Sequence, residues 1–299
     1  MHDPLGDRLK GEYESQTRLI LPRKTYTIIR LDGKAFHSYT RKLPRPFDPT
    51  LHEDLVAAAT FLCEQVTGTL VAYVQSDEVS LLVTDLAKPG TQPWYGGSVQ
   101  KIASVTASMF TAKFNASRNL GIDVGEPLAF FDSRVFTIDD PDAVVDYFHW
   151  RYLDAWRNAI SSLASVHFSA RELHEKSVVT RLEMLRARGV DVAALDPRFK
   201  CGSVVEPVVR ESDVKYLDNR TGEIRTVEGV QRRSWETRPA PQLDEVHDLL
   251  NLDGKVNGFL AFGEYVYRLL ATVHTPQELG GSVTPVDATP GVATRPASS

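Results

Sequence analysis

Apolar positions along the chain switch between two spacings, and the switches predict an order of elements. Residues 24–32 are rich in β-branched and aromatic side chains and predict a strand ending at Asp32-Gly33. Pro44, Pro46 and Pro49 then predict an irregular loop. Between Leu51 and Val66 the residues Leu55, Val56, Ala59, Phe61, Leu62 and Val66 recur at helical spacing, with Gly68 just past the end. Residues 69–75 and 79–85 predict two strands joined by the polar step Ser76-Asp77-Glu78, a hairpin. After a Pro/Gly loop at 87–97, Val99 to Asn119 predicts a second helix and residues 127–138 a further strand. The order β-α-β-β-α-β is that of a ferredoxin-like fold of the α+β class, with helices on one face of an antiparallel sheet.

Beyond this unit, Val144–Ser165 and Ser177–Arg188 predict helices, and residues 203–238 a small β excursion turning at 218–223. Leu243–Leu250 and Phe259–Val273 read as additional C-terminal helices. Pro276–Ser299 has no aromatic residue and many Pro, Gly, Ser and Thr, which predicts a disordered tail. The expected organisation is a first domain over 1–140, a helical and β part over 141–275 packed on it, and a tail over 276–299.

Composition narrows the class. The 299 residues are 42% hydrophobic and 24% charged, with a net charge of −5, which excludes collagen, a coiled coil and wholesale disorder. Cys63 and Cys201 make neither a disulfide framework nor a zinc spacing. No stretch reaches the roughly 18 apolar residues of a membrane helix. Met1–Lys10 lacks the apolar core of a secretory signal. The expected setting is therefore the cytoplasm, with no membrane partner. Charge is uneven: residues 1–50 carry ten Lys/Arg against six Asp/Glu, +4, which leaves −9 for the remainder. A local basic face binds phosphates even on an acidic protein, and scattered solvated charge accounts for the same numbers.

The sharpest chemical candidates are Asp32, at the end of the first strand, and Asp77, at the hairpin tip. In a β-α-β-β sheet the first strand lies beside the third, which brings the two carboxylates together. They repel unless a cation sits between them, and hard oxygen ligands on open loops suit Mg²⁺. Gly33, lacking a Cβ, permits close approach of its backbone carbonyl. An Asp-Gly turn and a solvated hairpin tip fit the same spacing. Backbone N–H groups in Gly33-Lys34-Ala35-Phe36-His37 are placed to cradle phosphates, with Lys34 as a charge partner and His37 as a donor. The plainer reading is a turn with a partly buried histidine. Arg41, Lys42, Arg45 and Lys101 fit phosphate contacts or simple solubility. Trp150, Asp154, Arg157 and Asn158 share roughly one helix face, either a nucleotide or RNA surface or a buried ion pair.

These residues lie in segments that resemble the tRNA-His guanylyltransferase superfamily of 3′-to-5′ polymerases, closer to its bacterial and archaeal guanylyltransferase-like members than to the eukaryotic enzyme. The segments are LGDRLKGEYE (5–14), IIRLDGKAFHSYTRKLPRPFD (28–48), YVQSDEVSLLV (73–83), WYGGSVQKIASVTASMFTAKFN (94–115), FFDSRVFTI (130–138), YFHWRYLDAWRNAI (147–160) and FKCGSVV (199–205). They are collinear and cover roughly residues 3–210, and together they are far more specific than any one alone. The resemblance implies a polymerase palm over 1–140, with two Mg²⁺ ions held by Asp32, Asp77 and the Gly33 carbonyl. Glu78 completes the family's Ser-Asp-Glu, either at the metals or in support of them. Ser76, His37 and the backbone of Lys34, Ala35 and Phe36 correspond to the nucleotide-holding turn. Lys101 matches a position that meets triphosphate oxygens, Arg45 stands where the eukaryotic enzyme has Lys, and Asn158 keeps a family asparagine. GTP and ATP as substrates, tRNA or tRNA-like RNA as partner and a homotetramer follow from the same resemblance.

One departure bears on activity. Where the eukaryotic enzyme carries HINNLYN, this chain reads WRNAISS (156–162), with Trp156 at the histidine position. That favours template-dependent addition to the 5′ end of truncated tRNA over untemplated addition of G at position −1 of tRNA-His. A catalytically idle RNA-binding protein and a nucleotide cyclase are the competing classes. The retained Asp32/Asp77 pair speaks against the first, and the 147–160 and 199–205 segments against the second.

Overall fold

A computed structural model of the chain describes residues 3–88, 90–118, 127–241 and 259–272. The helices are α1 (Pro4–Glu12), α2 (Phe36–Tyr39), α3 (Pro49–Gln65), α4 (Val99–Ser117), α5 (Pro141–His167), α6 (Ala170–Leu173), α7 (Val178–Ala187), α8 (Pro197–Lys200) and α9 (Phe259–Ala271). The strands are β1 (Tyr26–Gly33), β2 (Thr69–Gln75), β3 (Glu78–Thr84), β4 (Phe131–Ile138), β5 (Ser203–Asp218) and β6 (Glu223–Pro239). Asp-Pro steps start two of the long helices: Asp48 accepts from the Thr50 amide at 3.0 Å and Asp140 from the Asp142 amide at 3.0 Å. In each, proline fills the first helical position, where a missing N–H does no harm.

The strands form one antiparallel sheet in the order β4-β1-β3-β2-β5-β6, so the expected βαββαβ unit is present as its first four. The unit's own two long helices, α3 and α4, lie on one face, as expected, and α5, α7 and α9 cover the other. Strands β2 and β3 are buried at every position, because both faces of the sheet are packed. Ile29, Leu31, Val74 and Leu81 meet Leu55, Leu62, Phe110 and Phe114 of α3 and α4 on one face. Ile28, Tyr73 and Leu82 meet Tyr152 and Trp156 of α5, Leu182 of α7 and Phe262 of α9 on the other. The physical cause is in the strands themselves. Consecutive apolar residues such as Ile28-Ile29 and Leu81-Leu82-Val83 point to opposite faces, and each face removes its apolar surface from water only under a helical layer.

The β excursion is likewise more than an appendage. Val205, Val204 and Ser203 pair with Ala72, Tyr73 and Val74, so β5 extends the main sheet before it and β6 continue outward as an exposed two-stranded ribbon. Helix α4 ends at Ser117 and β4 begins at Phe131, both inside the expected ranges. The expected helix at Leu243–Leu250 and the tail from Pro276 lie outside the described residues.

Candidate active site

Strand pairing brings the acidic residues together at one end of the sheet. Asp32 lies opposite Glu78 on β3 and opposite Asp132 on β4, and the Gly33 amide donates to the Asp77 carbonyl at 3.2 Å. Asp77 sits in the turn between β2 and β3, after Ser76, whose φ of 51° is uncommon for a residue with a Cβ. The Ser76 hydroxyl donates to Asp77 Oδ1 at 3.1 Å. Burial raises the Asp77 pKa, and the neighbouring Asp32 charge raises it further; hydrogen bonds from the backbone and Ser76 offset only part of this. Asp77 pairs with no described cation, whereas Asp32 lies 3.9 Å from the half-exposed Arg134. Among the described residues no group of three or more His, Cys, Asp or Glu gathers as a metal cage. Two carboxylates and a backbone carbonyl fit a hard divalent cation such as Mg²⁺, which fills its remaining positions with water and substrate phosphate oxygens.

Glu78 is in register with Asp32 but is partnered differently. It is buried, and its Oε2 lies 3.2 Å from Arg151 Nη1 and 4.0 Å from Arg30 Nε. Burial raises its pKa, while Arg151 and then Arg30 pull it down. Arg151 also reaches Asp154 Oδ2 at 2.7 Å and lies with its guanidinium 3.9 Å from the centre of the Trp150 ring. The helix face carrying Trp150, Asp154, Arg157 and Asn158 is thus in part a buried ion-pair network that ties α5 to β3.

The turn after β1 is shaped by packing. A Cβ on Gly33 would lie 2.3 Å from the Phe36 ring, so glycine makes room for that side chain. Phe36 is buried against Tyr39, Phe114 and Phe131, leaving only its backbone to face a ligand. Ala35 has a φ of 53° and precedes the short helix α2. The Lys34 amide is taken by the Phe130 carbonyl at 2.8 Å, and its Nζ lies 6.0 Å from the centre of the Phe130 ring. Lys34 thus faces β4.

His37, Arg45, Ser76 and Asn158 do converge, lining one cleft of about 420 Å³. The same cleft is lined by Phe47 and Phe199, stacked at 4.8 Å, and by His52. His52 is buried and within 2.9 Å of the Ser203 hydroxyl; burial, then the Arg198 charge, lower its pKa to about 4, so it is neutral. No sequence signal separates these three from ordinary core residues, because their partners come from distant elements.

Lys101 is not brought to this cleft. It lies in the first turn of α4, with its Nζ 5.0 Å from the centre of the Tyr95 ring. The adjacent Ile102 lines a small cavity with Thr27 and Thr84, at the opposite ends of β1 and β3 from the acids. Helix α4 follows the far end of β3, so its first turn starts at that end of the sheet. Trp156, at the position of the HINNLYN histidine, is only 2% exposed and packs in the core, with Lys200 Nζ 5.5 Å from its ring centre.

A family model described as tRNAHis guanylyltransferase matches residues 7–139. The tRNA(His) guanylyltransferase of Schizosaccharomyces pombe is 32% identical over 151 residues, 49% of this chain and 55% of that protein. The chain therefore spans little more than half the length of that curated relative. Two solved structures are similar over more of their length. A bacterial tRNA(His) guanylyltransferase-like protein in complex with ATP has a TM-score of 0.64 and 37% identity, covering 68% of this chain and 87% of that one. A bacterial tRNA(His) guanylyltransferase-like protein in complex with GTP has a TM-score of 0.62 and 29% identity, covering 89% of this chain and 100% of that one.

Proposed function

The chain belongs to the tRNAHis guanylyltransferase family, and on that premise we propose that it is a nucleotidyltransferase adding nucleotides in the 3′-to-5′ direction to the 5′ end of tRNA, directed by a template strand. The observation that carries the proposal is the adjacency of Asp32 and Asp77 to a cleft lined by His37, Arg45, Ser76 and Asn158. In this reading residues 1–140 carry catalysis and residues 141–275 support them. The similar solved structures in complex with ATP and with GTP support triphosphates as the cleft's occupants.

Asp32, Asp77 and the Gly33 carbonyl would hold Mg²⁺, which when bound neutralises triphosphate charge and makes a hydroxyl a better nucleophile. His37, Ser76 and the amides of Ala35 and Phe36 hold phosphate oxygens, while Arg45 and Asn158 reach the nucleotide from either side of the cleft. Their task is to align the 3′-hydroxyl of the incoming nucleotide with the activated 5′ phosphate of the RNA. The hydroxyl oxygen bonds to that phosphorus as pyrophosphate, or AMP from an adenylylated end, departs. Lys34 and Lys101 are not among the residues lining the cleft, so triphosphate recognition within it falls on the other groups. The burial of Trp156 favours templated repair of 5′-truncated tRNA over addition of G at −1, since a core tryptophan offers no imidazole to a substrate. The homotetramer implied by the resemblance and the cytoplasmic setting expected from the sequence belong to the same reading; no described helix is long and apolar enough to cross a membrane.

The test is incubation of the purified protein with 5′-truncated tRNA, labelled GTP or ATP and Mg²⁺. Templated 5′ extension is expected, and its loss in Asp32→Ala and Asp77→Ala with the fold intact. Wild-type protein that incorporates no label would overturn the reading.

A further inference from the structure

The reaction proposed above has two substrates, and the cleft accounts for one. Across the active end of the sheet the strands run β4, β1, β3, β2, so the carboxylates of Asp32 and Asp77 have two flanks. The cleft occupies the β2 flank, through Ser76. The β4 flank carries a different surface. Phe130 is 53% exposed beside Gly33 and Lys34, which leaves a large aromatic face open to solvent. Its carbonyl is fixed by the Lys34 amide, and Lys34 Nζ lies 6.0 Å from its ring centre, in no ion pair with a described residue. Asp132 and Arg134 share a face with Asp32 and Arg30, their register partners. Arg134 is half-exposed, with contacts of 3.7 Å to Asp132 and 3.9 Å to Asp32, long and solvated enough to exchange readily. Half-exposed Trp150 extends this side, with Arg30 5.7 Å from its ring centre.

We propose that this β4 flank seats the 5′ end of the RNA, its terminal base stacking on Phe130 and its 5′ phosphate meeting Lys34 and Arg134. The assignment rests on the nucleotidyltransferase reading and adds where the second substrate lies. An exposed aromatic ring beside cations is the combination that binds nucleic-acid ends by stacking and charge. Seated there, the 5′ phosphate is separated from the nucleotide cleft only by the two acids.

The probes are a short RNA hairpin with a 5′ monophosphate, the same hairpin with a 5′ hydroxyl, and GTP, each measured for affinity with the full chain in Mg²⁺. Phe130→Ala is expected to weaken binding of the phosphorylated hairpin about tenfold while GTP affinity stays within about twofold, and Phe130→Trp to restore it. Wild type should prefer the phosphorylated hairpin, and Lys34→Ala with Arg134→Ala should erase that preference and reduce the salt slope by about one per residue. Unchanged RNA affinity in Phe130→Ala, with GTP still bound, would overturn the docking face and leave the nucleotide cleft standing. Equal affinity of wild type for the two hairpins would overturn the phosphate contact. Wild type that binds GTP but neither hairpin would overturn the face and the RNA substrate together.

Discussion

Strand β3 has an aspartate at each end, and the two are treated in opposite ways. Asp85, just after it, is 4% exposed and has its counter-charge within the protein: the Lys24 amide donates to Oδ1 at 2.8 Å, and Oδ2, which accepts no hydrogen bond, lies 3.8 Å from Arg23 Nε. Asp77, just before it, is half-buried beside Asp32 and forms no ion pair with a described cation. Asp54 repeats the first pattern, buried with Arg118 at 3.0 Å. A buried acid that serves the fold carries its counter-charge within the protein. One that serves a ligand leaves that charge to be supplied.

Substitutions at the two ends sharpen the contrast. The largest effect is expected at the ligand-facing end. Asp77→Asn should lower nucleotide addition by on the order of 10³-fold, as for loss of a key transition-state group. It should also leave the fold as stable or more stable in denaturant, because a repulsion is removed. A loss of stability comparable to the loss of activity would break the distinction.

His52 gives a second handle, since this buried group avoids charge by staying neutral. Its pKa in the fold, about 4, is below the ordinary 6.5. The unfolded chain therefore binds the proton first, so stability present above pH 6.5 is lost as pH falls towards 4 and changes little below that. The loss is on the order of 3 kcal/mol, and His52→Gln should flatten this part of a pH series of denaturation midpoints.

Asp85→Asn should do the reverse of Asp77→Asn. It should destabilise the protein by about 2 kcal/mol through loss of a charged, buried acceptor, with activity per folded molecule unchanged. The smallest effect is expected at Gly33→Ala. Its Cβ would press on the Phe36 ring, costing about 1–2 kcal/mol in thermal denaturation. It should lower GTP affinity only in so far as the turn that follows Asp32 shifts.

Much of this was legible along the chain, because it is local. Strand 24–32 closes on Asp-Gly, a hairpin tip carries Ser-Asp-Glu, and the β-α-β-β-α-β order makes the first and third strands neighbours. These are consequences of backbone preference and period, which a short window of sequence contains. From them alone the meeting of Asp32 and Asp77 follows. The sequence likewise determined the stacking of apolar residues on consecutive strand positions, although the need for a second helical layer becomes evident only in the assembled sheet.

The rest depends on contacts between elements far apart in sequence. His52 meets Ser203 across 151 positions, and no local pattern marks either as part of a cleft wall. Lys101 reads as a phosphate ligand until the path of α4 carries its first turn to the far end of the sheet. Lys34 sits in the right turn yet faces Phe130, because its amide is claimed by β4. Local sequence sets which residues an element carries. The direction from which the next element arrives decides what their side chains meet, and that direction is a property of the whole packed core.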